Sequence, residues 1–150
     1  MTTISEILAK AQRRAQEMKL PYQGALLPEE AHELLEKAPG ARIVDVRTRA
    51  ELDFVGRVPG SIEIEWQSYP GGQPNPHFLT QLEHQVDKEA LVMMLCRSGA
   101  RSHAAAVAAM GSGYTQVYNV LEGFQGDKDA QAHRDTVGGW RAAGLPWYQA

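Results

Sequence analysis

The sequence predicts an α/β fold built on a mainly parallel sheet. Two observations carry the prediction. Short apolar runs of strand type alternate with helical segments along the chain, with no internal repeat. The length, 150 residues, is that of one globular domain and buries a core of useful size.

The elements follow in order. Residues 3–19 read as an amphipathic helix, because Ile4, Ile7, Leu8, Ala11, Ala15 and Met18 recur at helical spacing. Thr3 and Glu6 fit a capping box, and Pro21 ends the helix. The stripe reads as a face packed on the rest of the chain, with partner docking as the alternative. On this basis residues 1–21 are assigned to an N-terminal helical extension and residues 22–150 to the main domain.

Pro28 opens a second helix, running to Lys37, with Glu29 and Glu30 at the positive end of its dipole. Pro39-Gly40 closes it. Ile43 to Val46 is a short β-branched run and reads as a buried strand. Arg49 to Phe54 reads as a short helix, Pro59-Gly60 as a turn, and Ile62 with Ile64 as a strand. Residues 66–77 hold three prolines and two glycines and read as a loop whose length invites a function. Phe78 to Val86 returns as a helix. Ala90 to Leu95 is the strongest strand in the sequence. Arg101 to Met110 is an alanine-rich helix stopped by Gly111 and Gly113. Val117 to Val120 is a strand. Gln125 to Gly139 is irregular, and Trp140 to Ala143 reads as a short helix ended by Gly144 and Pro146.

Composition excludes several classes. Apolar and charged contents of 43% and 22% are those of a water-soluble fold. With a net charge of -3 and scattered Lys and Arg, no basic stripe is present for nucleic acid. No run approaches the roughly 20 apolar residues of a membrane span, and the N-terminus lacks the apolar core of a secretory signal. A single cysteine forms no internal disulfide, so a reducing cytoplasm is the expected compartment. The five histidines and the cysteine show no metal-ligand spacing. No metal and no cofactor are expected.

The chemistry converges on Cys96. In open α/β sheets the ligand site lies beyond the carboxyl ends of the strands, and Cys96 directly follows the strand 90–95. Behind it run Arg97, Ser98, Gly99, Ala100, Arg101 and Ser102, and then a helix. Such a loop can curl its N–H groups into an anion-binding nest, to which the helix N-terminus adds its dipole. Gly99 relaxes the backbone, and Arg97 and Arg101 add positive charge. All of these favour the anionic sulfur. A lone cysteine is ordinarily a small buried hydrophobe, but apolar burial does not call for two arginines, a glycine and two serines in the next six positions.

The run Cys96-Arg97-Ser98-Gly99-Ala100-Arg101-Ser102 resembles the active-site loop of rhodanese-type sulfurtransferases. Ile43-Val44-Asp45-Val46-Arg47, Glu51-Leu52 and Gly56-Arg57-Val58-Pro59-Gly60-Ser61 resemble the family's upstream pattern, in the same order. Tyr114 to Gly123 is similar to the strand leading to its L-x-G-G segment, and Trp140 to Pro146 to its C-terminal stop. Arg57 departs from the usual histidine, Phe124 stands where a second glycine is common, and Gln125 to Gly139 is longer than in minimal members. The resemblance covers about residues 24–148. It implies a three-layer rhodanese-like fold, with a mainly parallel central sheet of about five strands flanked by helices. It also implies a mechanism. The Cys96 thiolate takes sulfur from a small-molecule donor such as thiosulfate, holds it as a persulfide, and passes it to cyanide, a thiol or a protein acceptor. Loop residues 97–102 would bind the substrate, with Arg97 on the donor's oxygens. Arg101 either does the same or braces the loop through a carboxylate.

Other residues near this site carry blander readings. Asp45 and Arg47 read as a structural ion pair, and His103 as an ordinary helix residue. Trp66, Tyr69 and His77 either line the pocket or belong to a solvated loop. Trp140 and Trp147 are assigned to the core. Two rival functions remain. A cysteine phosphatase places its arginine six positions after the cysteine, where this chain has Ser102; Cys96 to Arg101 spans only six residues. A non-catalytic binding or regulatory module would not need Cys96.

Overall fold

The computed structural model describes residues 3–149; Met1, Thr2 and Ala150, at the outer ends of the two assigned segments, lie outside the described residues. Within that span the order is α1 (Ile4–Glu17), β1 (Gly24–Leu26), α2 (Pro28–Lys37), β2 (Arg42–Asp45), α3 (Arg49–Phe54), β3 (Ile62–Glu63), α4 (Phe78–Gln85), β4 (Leu91–Leu95), α5 (Ala100–Gly111) and β5 (Gln116–Val120). The five strands form one sheet in the order β1-β5-β4-β2-β3. Every pairing is parallel, with Asp45 opposite Leu95 and Met94 opposite Asn119. The expected α/β architecture is therefore present, and its sheet is parallel throughout.

Strand alternation builds a core on each face of the sheet. Val92, Met94 and Cys96 face α4 and α5 and pack with Leu82, Ala105 and Ala109. Met93 and Leu95 face α1 and α2 and pack with Ile7, Leu34 and Tyr118. β4 lies at the centre of the sheet, so its carboxyl end is flanked by the ends of β2 and β5. That is where Cys96 emerges. No helix among the described residues is long and apolar enough to cross a membrane.

Four local expectations need correction. The edge strand β1, Gly24–Leu26, was not assigned from the sequence. It is short and lacks β-branched residues, and its pairing with Tyr118 to Val120 creates it. The predicted helix at Trp140 to Ala143 is a pair of turns, closed by Ala143 N–H to Gly139 O and Gly144 N–H to Arg141 O, both 3.0 Å. Gly139 and Gly144, with φ of 111° and 76°, bracket a stretch too short to nucleate a helix. The first helix stops before Pro21, where Lys19 takes a φ of 58° and Leu20 N–H bonds back to Ala15 O. Finally, Trp140 is fully buried as expected, but Trp147 is 41% exposed and meets Phe124 edge-on.

The 66–77 loop folds back on itself. Gln67 pairs with Pro74, Ser68 N–H bonds to Gln73 O, and Asn75 N–H bonds to Trp66 O. Trp66 packs on Phe78 and anchors the loop to the core, while Tyr69 projects from it, 72% exposed.

Candidate active site

β4 delivers Cys96 at the bottom of a tight loop, with 1% of its surface exposed. Gly99, at φ 113°, turns the chain back so that its N–H points at the Cys96 sulfur over 3.1 Å. Helix α5 then starts at Ala100, and Ser102, in its first turn and fully buried, lies with Oγ 3.3 Å from the same sulfur. The resting sulfur thus has one backbone and one hydroxyl donor. The other loop peptides are oriented from outside. Cys96 O accepts from Phe124 N–H at 2.8 Å, and Arg97 O accepts from Gln125 and Gly126 N–H at 2.9 and 3.1 Å. Because a trans peptide sets N–H opposite C=O, the N–H groups of Arg97 and Ser98 turn away from that segment. Ser98 and Ala100 contribute main chain to the loop.

The two loop arginines differ. Arg101 meets Glu51 in a fork, Nη1 to Oε1 at 2.7 Å and Nη2 to Oε2 at 2.9 Å. Glu51 also caps α3 in a capping box with Thr48. Burial pushes the Glu51 carboxyl up, but the hydrogen bonds and charge of Arg101, with the Thr48 N–H and hydroxyl, outweigh it and hold Glu51 at about 2. The same hydrogen bond raises Arg101 above its ordinary value, against burial. Arg97, by contrast, is exposed, and no carboxylate among the described residues engages it.

The segment after β5 forms the floor under the loop. A Cβ at Gly123 would lie 2.5 Å from Cys96 O and 2.6 Å from Arg97 O, and its φ is 62°. Only glycine fits there. Phe124, where a second glycine is common in the family, is buried beneath the Arg47 guanidinium, 4.1 Å away. Arg47 is in turn fully buried against Asp45, with Nη2 2.7 Å from Oδ2 and also bonded to Gly56 O. This is the geometry of a structural pair. Asn119, on β5 and 2% exposed, donates to Gly99 O and to the Tyr22 hydroxyl, each at 3.2 Å. Tyr22 OH lies 2.8 Å from His103 Nδ1. Sequence reasoning assigned no role to Glu51, Asn119 or Tyr22. The available signal for Asn119 was one polar residue in the otherwise apolar second half of a strand, Tyr118-Asn119-Val120.

An opening of about 390 Å³ lies beside the loop, lined by Arg97, Arg101, Glu51, Phe54 and Tyr69 among others. Tyr69 thus borders the pocket, whereas Trp66 is half-buried against the core and His77 is exposed at the start of α4. A larger opening of about 480 Å³ sits at the opposite ends of the strands, around Arg42, Leu91 and Gln116, far from Cys96.

Comparison with known proteins accords with this geometry. Residues 27–130 match the Rhodanese-like domain family. The crystal structure of Rv0390 from M. tuberculosis superposes with a TM-score of 0.77 at 42% identity, covering 86% of this chain and 99% of that one. An uncharacterized protein of Rickettsia conorii is 33% identical over 123 residues, 78% of this chain and 90% of that protein. The chloroplastic thiosulfate sulfurtransferase 16 of Arabidopsis thaliana is 31% identical over 96 residues, 63% of this chain and 78% of that protein. With a parallel five-stranded sheet, a cysteine loop at the end of its central strand and a family match over most of its length, this chain belongs to the rhodanese-like domain family.

Proposed function

We propose that the protein is a sulfurtransferase that carries sulfane sulfur from a donor such as thiosulfate to a thiophilic acceptor, through a persulfide on Cys96. The observation that carries this reading is the Cys96 sulfur seated between the Gly99 N–H and the Ser102 hydroxyl, beside the unengaged Arg97. The Cys96 thiolate attacks the outer sulfur of thiosulfate. A bond forms between the two sulfurs, the donor's own S–S bond breaks, and its electron pair leaves on sulfite. Arg97 meets the sulfonate oxygens. The acceptor, cyanide or a thiolate carried by a small molecule or a protein, then attacks the terminal sulfur, and the Cys96 thiolate is restored. Donors aimed at the sulfur stabilise the thiolate in both steps. Arg101 is a brace in this scheme, since Glu51 engages both of its terminal nitrogens. The same engagement counts against a phosphatase, which needs that arginine on the phosphate. A thiol that works reduced suits the cytoplasm.

The test is mass spectrometry of the purified protein after thiosulfate treatment. One added sulfur on Cys96 is expected, removed by cyanide, with Cys96→Ser folded and inactive. A serine variant that keeps substantial turnover would refute the assignment.

A further inference from the structure

The Ser102 hydroxyl has one proton and two acceptors within reach, the Cys96 sulfur at 3.3 Å and the Gly99 carbonyl at 3.1 Å. It can serve only one of them at a time. The carbonyl has two lone pairs. His103 N–H fills one at 3.1 Å, in the first turn of α5. Asn119 Nδ2 fills the other at 3.2 Å. With both filled, the Ser102 proton is left to the sulfur.

We propose that Asn119, steadied by the Tyr22 hydroxyl, is a positioning residue that occupies the Gly99 carbonyl and thereby commits the Ser102 hydroxyl to the Cys96 sulfur. The inference rests on the sulfur-transfer reading for its purpose, but its geometry stands independently.

Two further features support it. Asn119 Oδ1 is buried without a hydrogen-bond partner. A buried unpaired acceptor carries a desolvation cost, and what the side chain offers against it is its two donated bonds, to Gly99 O and to the Tyr22 hydroxyl. The amide cannot simply turn over, because Oδ1 would then face the Gly99 oxygen. Tyr22 fixes this orientation. Its oxygen accepts the second Nδ2 proton, and the same hydroxyl shares a hydrogen bond of 2.8 Å with His103 Nδ1. Burial raises the Tyr22 hydroxyl above its ordinary value of 10.0, against the Asn119 hydrogen bond, so it remains a neutral hydroxyl. Tyr22 stands between α1 and β1 and reaches the residues beneath the cysteine loop through Asn119.

The test is a double-mutant cycle read by alkylation of Cys96 with iodoacetamide, and in parallel by thiosulfate:cyanide turnover. Asn119→Ala and Ser102→Ala should each slow alkylation by about tenfold, the loss of one hydrogen bond to an anionic sulfur. The double variant should be no slower than Ser102→Ala alone, because Asn119 acts through that hydroxyl. In turnover the loss should fall on kcat, with KM for thiosulfate within about twofold, since Arg97 is untouched. Tyr22→Phe, nearly isosteric, should give a smaller loss that vanishes in the Ser102→Ala background. It keeps the test decisive if Asn119→Ala fails to fold. Losses that multiply would overturn the proposal, because independent effects are the mark of a merely structural role. Natural alkylation rates in folded Asn119→Ala, or in Tyr22→Phe, would overturn it too. Alkylation needs no sulfur donor, so non-multiplying losses in a protein without thiosulfate turnover would uphold the positioning and sink the sulfur-transfer reading.

Discussion

Glu51 does two jobs with one carboxylate: it closes the capping box of α3 and holds Arg101 at the rim of the cysteine loop. The Glu51–Arg101 pair is mostly shielded, with side chains 18% and 17% exposed. Removing one partner of such a pair costs more than an exposed ion pair would. Glu51→Gln should therefore lower stability at pH 7 by about 2–3 kcal/mol. The pH dependence has a definite sign. Folding depresses the Glu51 carboxyl from its ordinary 4.5 to about 2. Its contribution is complete above the upper value and is lost as pH falls through the lower one. Urea unfolding at several pH values should show a constant gap between natural protein and variant from neutral pH to about pH 5. The gap should narrow toward pH 2. A gap unchanged by acid would assign the destabilisation to something other than the carboxylate. The sequence alone left Arg101 open between substrate and brace. The partner that favours a brace, Glu51, is remote, fifty positions away in the chain, and spacing in one loop cannot reveal it.

At the scale of elements, what was legible tracks how much of each element's cause is local. β4 and α5 were readable because their apolar and alanine-rich runs need no partner to be recognised, and the cysteine loop between them follows from that. β1 was not readable. Gly24-Ala25-Leu26 becomes a strand through its register with β5. Trp140 to Ala143 failed as a helix because the stretch is too short to nucleate one between two glycines of positive φ, and the first of these, Gly139, is held by packing. A Cβ at Gly139 would meet the Gly126 nitrogen at 2.7 Å. Under the proposed function, the spacing of the cysteine loop and α5 should select the substrate class. One residue inserted between Ala100 and Arg101 can be absorbed in two ways. If α5 slips by one position, Ser102, Ala105 and Ala106 rotate by about 100° off the core face. Their burial resists this. The loop then widens instead, and the Gly99 N–H and Ser102 hydroxyl no longer converge on the sulfur. Thiosulfate turnover should fall by about a hundredfold or more, since such donors act only within about 3 Å of the developing charge. The natural protein should show no appreciable hydrolysis of an aryl phosphate. Efficient phosphate hydrolysis without thiosulfate turnover would instead favour the phosphatase.

The whole molecule raises the question of whether α1 is a separable extension or part of the fold. Its packing argues for the second. Ile7, Ala11 and Ala15 are buried, and Ile7 and Ala11 share a cluster with Leu26 and Tyr118. The helix approaches β1 so closely that a Cβ at Gly24 would lie 3.1 Å from the Ala11 backbone and 2.5 Å from the Tyr118 ring. Polar contacts follow the same interface. Gln12 Nε2 donates to the Tyr118 hydroxyl at 3.0 Å, and Arg14 forks onto Glu30 at 2.9 and 3.2 Å. Glu30 in turn accepts from Leu27 N–H at the start of α2. Removing α1 would uncover Leu26 and Tyr118 and leave Glu30 without its arginine. Deleting residues 1–19 should therefore lower stability by about 5 kcal/mol, the order expected for losing several buried apolar side chains. In the full chain, helical signal and near-ultraviolet signal should fall together in one thermal transition. A truncated chain that retains the natural midpoint, or a full chain in which helix is lost well before the core melts, would make α1 a separable extension. The cysteine loop would then stand on a smaller scaffold than the one described here.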